Sequence, residues 1–348
     1  MNRSIKALAA AVLGSGALAA ALPAAGMAQQ PAAPPAAFPA APDAAIAWNQ
    51  VLLGLQATAG VQPATIHPTY DLALLHGAMH DAIVSIDLQE QPYIAGVTAP
   101  HSASKEAAAD AAAHDTLVAL YPSQRALLDQ DETAALSHVP DGKHTTAGLT
   151  VGRAVAKAVL AARAQDGSDA TPPAFTPTGL PGDYRLTPPA FGPPVFTHWG
   201  HVQPFALQRR SQFRPGPPAR LTGAHYAAAL HEVQVLGSAT SAARTPAETQ
   251  IGVFWNAPIW ATWNRIADAV ATQHARGLAH DARTLARLDL TLADATIALY
   301  DAKYTYQAWR PVTAIQNADI DNNPLTQADK GWTPLSPTAP DPSYPGAH

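Results

Sequence analysis

Apolar positions along this chain recur at steps of three and four, with no run of strict alternation. That period belongs to amphipathic helices rather than strands. Residues 44–55 form the first such stretch. Residues 69–86 form the second, with Leu72, Leu75, Met79, Ile83 and Ile86 on one face. Ser104 is placed to cap a helix that stops at Tyr121-Pro122. Helices follow over residues 123–136 and 143–165, the latter carrying Val151, Val155 and Val159 and ending at Gly167.

The pattern then lapses. Residues 167–221 contain Pro172-Pro173, Pro188-Pro189, Pro193-Pro194 and Pro217-Pro218, with Trp199 and Phe205 between them. A loop of this length is functional or disordered, and its aromatic residues argue for an ordered wrap that roofs a site. Helical periodicity resumes over residues 224–236. Thr245-Pro246-Ala247-Glu248 has the form of a capping box with proline at the first helical position. Ile259, Trp263, Ile266 and Val270 mark the apolar face of the next helix. Asp281 is expected to cap a long helix built on Leu285, Leu288, Leu292 and Leu299, and residues 312–341 read as polar, proline-rich loop. The expected class is all-α, a helical bundle joined by long loops.

Composition sharpens this reading. The 348 residues contain 33 prolines and no cysteine, which excludes disulfides, thiolate metal sites and cysteine nucleophiles. Lys and Arg number 21 against 26 Asp and Glu, a net charge of −5, so the basic balance of a nucleic-acid binder is missing. Residues 1–28 read as a secretory signal. Arg3 and Lys6 precede an apolar run over residues 7–22, and Gly26-Met27-Ala28 offers a small-x-small cleavage site before Gln29. A membrane anchor is the competing reading, opposed by the short apolar core and by Pro23. Residues 29–42 form a Pro/Ala-rich linker, and residues 43–348 the helical domain. Export to the periplasm or beyond is expected, with no stable membrane span after cleavage.

The stretch with most chemistry runs from Asp301 to Pro311. Lys303 and Arg310 are seven positions apart, close to two helical turns, so on one helix they share a face. Pro311 disfavours helical geometry at Arg310 and ends the helix there. Two cations at a helix C-terminus are ordinary capping residues. They also suit an anion with several oxygens, one as a point charge and the other as a planar fork.

Lys303, six further residues and Arg310-Pro311 resemble the first signature of the vanadium-dependent haloperoxidase and type 2 phosphatidic acid phosphatase superfamily. The surrounding Asp301-Ala302-Lys303-Tyr304 and Trp309-Arg310-Pro311-Val312 are similar to its bacterial haloperoxidase-like branch. Pro345-Gly346-Ala347-His348 stands where the family has Pro-Ser-Gly-His, so a glycine replaces the hydroxyl donor and an alanine the glycine. The third signature, Ser-Arg followed by His, is expected beyond residue 348, and the resemblance implies a C-terminally truncated chain with impaired activity. It implies Lys303, Arg310 and the Gly346 backbone as ligands of vanadate or phosphate, and His348 as acid–base catalyst. The vanadium-ligating His would lie outside the 348 residues. The implied activity is halide oxidation by hydrogen peroxide on bound vanadate. An acid phosphatase acting on a phosphoester and a non-catalytic oxyanion-binding remnant remain alternatives. The family also admits a homo-oligomer.

Other clusters have plainer readings. His76 and His80 lie one helical turn apart, the spacing of a metal pair, but no third ligand is evident. With Asp71 and Asp81 they are expected to form a polar face packed on neighbouring helices. His198 and His201 fall in the long loop and are expected to be solvated. Tyr300, Tyr304, Tyr306 and Trp309 are expected to pack in the core or at the rim of the site.

Overall fold

The computed structural model describes residues 43–347. The signal and linker expected over residues 1–42, and His348, lie outside the described residues. Ten α-helices are found among the described residues: α1 Ala44–Ala57, α2 Pro68–Asp87, α3 Lys105–Leu120, α4 Arg125–Leu136, α5 Lys143–Arg163, α6 Ala224–Leu236, α7 Pro246–Trp255, α8 Ile259–His274, α9 Leu278–Tyr306 and α10 Pro311–Gln316. No strand occurs among them, and β-pairing is limited to two isolated bridges. The fold is all-α.

Helix α2 is the hub. Every residue from Pro68 to Ile86 is buried, so the single apolar face expected for it is part of a helix enclosed on all sides. It packs against α1, α3, α5 and α9. One core joins Trp48, Leu52, Leu72, Leu75, Met79 and Leu285; a second joins Leu74, Ala78, Val151, Val155, Trp199 and Ile297. Each large aliphatic side chain in these cores contributes about 1.5–3 kcal/mol through burial. Helices α3 and α5 meet along a seam of small residues. A Cβ at Gly152 would stand 2.2 Å from the Ala108 carbonyl oxygen, and one at Gly148 would stand 2.4 Å from that of Ser104.

Several expectations hold in detail. Ser104 caps α3, and Thr245 and Glu248 complete the capping box of α7. Others are corrected. Helix α9 begins after Gly277, and Asp281 sits in its first turn rather than at the cap. Pro311 opens a short helix within a segment expected to be loop. On α8 the expected apolar face is turned outward in part: Trp263 and Val270 are 42% and 47% exposed, while Asn264 and Asp268 are buried. The inward face is polar because its partners are polar. Asn264 donates to Asp289 Oδ1 at 2.8 Å, and Asn49 donates to Asp268 Oδ1 at 2.8 Å.

The long proline-rich segment is an ordered wrap fastened along α9. Asp294 accepts the backbone N–H groups of Phe205, Ala206 and Leu207 at 2.6, 2.8 and 2.8 Å. Asp301 takes the fork of Arg214 at 2.7 and 2.8 Å and Arg210 at 3.1 Å. Gly200 lies so close to α9 that a Cβ would stand 2.7 Å from the Asp301 backbone.

Candidate functional site

The site is built on the end of α9. Tyr300, Asp301, Ala302 and Lys303 are buried there. The helix stops at Tyr306 because Gln307 turns left-handed (φ 47, ψ 35), its N–H bonding the Lys303 carbonyl. Residues 307–309 are then laced to neighbouring coil. Tyr184 N–H donates to the Gln307 carbonyl at 2.5 Å, Trp309 N–H to that of Gly182 at 2.9 Å, and Ser343 N–H to that of Ala308 at 2.8 Å. Arg310 is extended (φ −77, ψ 152) at the N-cap of α10. The expectation that Lys303 and Arg310 share one helical face is therefore corrected. Proline does forbid helix at Arg310, but the left-handed residue ends α9 three positions earlier.

The two side chains nevertheless converge, and they do so on Asp341. Lys303 Nζ donates to the Pro342 carbonyl at 2.5 Å and lies 3.5 Å from Asp341 Oδ1. Arg310 Nε donates to the Asp341 carbonyl at 2.6 Å, and a terminal nitrogen contacts Oδ1. Asp341 is buried, and apart from these cations its Oδ1 has no hydrogen-bond partner. Burial, and then the neighbouring guanidinium, push the Lys303 amine down to about 7. The carboxylate 3.5 Å away opposes that shift, because an adjacent anion favours the charged amine. Burial also lowers Arg310, against the opposing influence of Tyr184, Tyr300 and Tyr304. Their hydroxyls are raised by burial and stay neutral.

The wrap reaches this site, as expected of a roof. Val195 N–H donates to the Pro340 carbonyl at 2.9 Å, and the Tyr304 hydroxyl donates to the Val195 carbonyl. Tyr306 donates to the Pro215 carbonyl at 2.5 Å and Tyr344 to that of Gly216 at 2.8 Å, their rings 5.6 Å apart. Gly346 is exposed, with nothing within 4 Å of where a Cβ would stand. The structure thus joins Lys303 and Arg310 and leaves Gly346 in the open.

His198 is a correction: it is buried, packed edge-on to Trp199, with Nε2 3.3 Å from the Ser168 carbonyl, while His201 is exposed. Its ring fills the wrap instead of facing water. His76 and His80 pack as a polar face. His76 Nε2 lies 3.2 Å from Asn49 Oδ1 and 3.6 Å from Asp289 Oδ2. His80 stacks on Tyr93 and bonds Asp81, which also accepts the N–H groups of residues 93–95. Burial keeps His76 and Asp289 both neutral, pushing the first down to about 3 and the second up to about 8. Among the described residues no group of three or more His, Asp or Glu side chains is arranged to hold a metal ion.

Two site residues were missed in the sequence. Asp341 is a lone acid in a proline-rich loop and carries no periodic signal. Tyr184 lies in the wrap, fully buried with its hydroxyl unpartnered.

An all-helical frame thus brings a buried Lys and an extended Arg-Pro to one buried carboxylate. Residues 283–348, which carry both cations, match the family model of the VCPO second helical-bundle domain. Among solved structures, the chain is similar to the first bacterial vanadium-dependent iodoperoxidase, at 22% identity and TM-score 0.68, over 86% of this chain and 75% of that one. It is also similar to a bacterial vanadium-dependent chloroperoxidase. The holo form aligns at 17% identity and TM-score 0.58, and the apo form at 18% and 0.53, each over 76% of this chain and 67% of the other. No curated protein matches the chain in sequence. The fold is similar to that of these bacterial vanadium-dependent haloperoxidases, and the family-model match covers the C-terminal segment.

Proposed function

We propose that the chain is a vanadate-dependent haloperoxidase-like protein that uses hydrogen peroxide to oxidise halide, exported to the periplasm or beyond. The observation that carries this reading is the convergence of Lys303 and Arg310 on one buried carboxylate oxygen. That oxygen stands in for an oxyanion, so the residues present fit a vanadate-like group. When bound, vanadate would supply an electrophilic centre for halide oxidation by hydrogen peroxide, without a change of its own oxidation state.

The chain's own contribution is positioning and charge. Lys303 and Arg310 donate to the oxyanion in a site shielded by Tyr184, Tyr300 and Tyr304, where low polarity strengthens each contact. Gly346 offers a backbone N–H in place of a hydroxyl donor, so turnover below that of a full signature is expected. His348 moves protons at the reacting oxygen, a role suited to a group titrating near neutrality. No described residue is assigned as the vanadium ligand. No helix among the described residues is long and apolar enough to cross a membrane.

The test is halide oxidation by the purified protein with hydrogen peroxide, with and without added vanadate. Vanadate-dependent oxidation is expected. Lys303→Met or Arg310→Ala should weaken vanadate dependence by about 10- to 100-fold, the size of a lost charge-assisted bond. Phosphoester hydrolysis that vanadate inhibits, without halide oxidation, would instead establish the phosphatase reading.

A further inference from the structure

Asp341 has consequences for which anions the seat accepts. This inference rests on the oxyanion reading of the same seat. The backbone of residues 340–343 is pinned. Val195 N–H holds the Pro340 carbonyl at 2.9 Å, Arg310 holds the Asp341 carbonyl at 2.6 Å, Lys303 holds the Pro342 carbonyl at 2.5 Å, and Ser343 N–H bonds the Ala308 carbonyl at 2.8 Å. Pro342 further restricts Asp341 to extended geometry. The carboxylate therefore cannot be carried away with its main chain, and side-chain rotation moves it only a few ångströms. It is 5% exposed, so turning from the cations inside the fold would leave a buried charge unpaired. An oxyanion that takes the place of Asp341 Oδ1 between Lys303 and Arg310 therefore displaces the carboxylate by only a few ångströms and settles beside it.

We propose that Asp341 makes the seat select oxyanions that carry a proton and reject those that carry none. A carboxylate is an acceptor only. Hydrogen phosphate, hydrogen vanadate and phosphomonoester monoanions can place an O–H between themselves and Asp341, forming a short charge-assisted bond. Sulfate and phosphodiesters bring only acceptors and meet like-charge repulsion. The two cations provide attraction for every anion, and Asp341 provides the discrimination. The seat thus serves protonated tetrahedral oxyanions and, if it acts on esters, monoesters.

The experiment is equilibrium binding of inorganic phosphate, vanadate and sulfate to the full chain at constant ionic strength and mildly acidic pH. Wild type should prefer phosphate over sulfate by roughly 10- to 100-fold. Asp341→Asn should bring that ratio close to one, mainly by gaining sulfate, because the amide offers an N–H to it. Asp341→Ser gives an independent check, and unfolding midpoints verify that each variant is folded. Retention of the wild-type ratio in both variants would overturn the proposal, as would equal tightening of both anions, which would make Asp341 a plain internal competitor. In either case the oxyanion reading survives, provided that Lys303→Met loses both anions. If wild type and variants bind none of the three anions, that reading falls and this inference with it.

Discussion

Asp294→Ala tests how the proline-rich wrap is fastened. The carboxylate accepts three consecutive backbone N–H groups at 2.6 to 2.8 Å, a nest of amide dipoles around one buried charge. The preceding residues are held from the other side: Arg163 donates to the carbonyls of Gln203 and Pro204 at 2.5 and 3.2 Å, with its guanidinium 3.8 Å from the Phe205 ring centroid. A hydrogen bond to a charged group contributes about 1.5–3 kcal/mol, and three that share one charge do not add fully. Ala206 is exposed, so water can reach at least one freed amide. The expected loss is about 3–4 kcal/mol for Asp294→Ala and about half that for Asp294→Asn, which keeps a neutral acceptor. Urea unfolding supplies the magnitude, and limited proteolysis within residues 203–214 supplies the location. An Asp294→Ala protein within about 1 kcal/mol of wild type, with the wrap equally resistant to protease, would refute the reasoning.

Burial pushes Asp289 up to about 8 from an ordinary 3.8, so between those values the folded chain holds a proton that the unfolded chain has released. Its stabilising contribution is full at the acid end and is lost as pH rises through that window. Asp71, Asp110 and Asp268, each raised to about 6 by burial, act with the same sign. Asp289→Asn should flatten part of the decline in stability and gain on wild type near the alkaline end; denaturant unfolding across pH checks this, and identical slopes would defeat it. Gly152→Ala should cost about 1–3 kcal/mol, because the new Cβ meets the Ala108 carbonyl at 2.2 Å. Gly54→Ala on α1, where no atom lies within 4 Å, should stabilise by up to about 1 kcal/mol. Thermal unfolding of the pair decides whether packing or propensity governs these positions.

The helices could be read in the sequence because periodicity, caps and prolines act locally: Ser104, Thr245 and Pro246 mark their helix starts wherever the chain folds. Lys303 was equally accessible, through the run of residues leading to Arg310-Pro311. What escaped depends on partners far along the chain. Asp294 and Asp301 look like solvent-facing acids on a helix, yet their partners lie 87 to 91 positions away. The outward turn of Trp263 and Val270 follows from a polar cluster shared by α1, α2, α8 and α9, which no window on α8 contains. Arg310 was assigned to the right neighbourhood by the wrong geometry, because a non-glycine left-handed residue such as Gln307 has no firm sequence mark.

The break at Gln307 gives the two cations separate mechanical mountings. Lys303 is carried on a 29-residue rod anchored through the core, whereas Arg310 hangs from a three-residue bracket beyond it. The spacing of the two cations is consequently fixed by the coil that laces residues 307–309 and by the burial of Trp309, as well as by the rod. A substitution at Gln307 or Trp309 would therefore move Arg310 relative to Lys303 through its packing, while α9 keeps its place in the core.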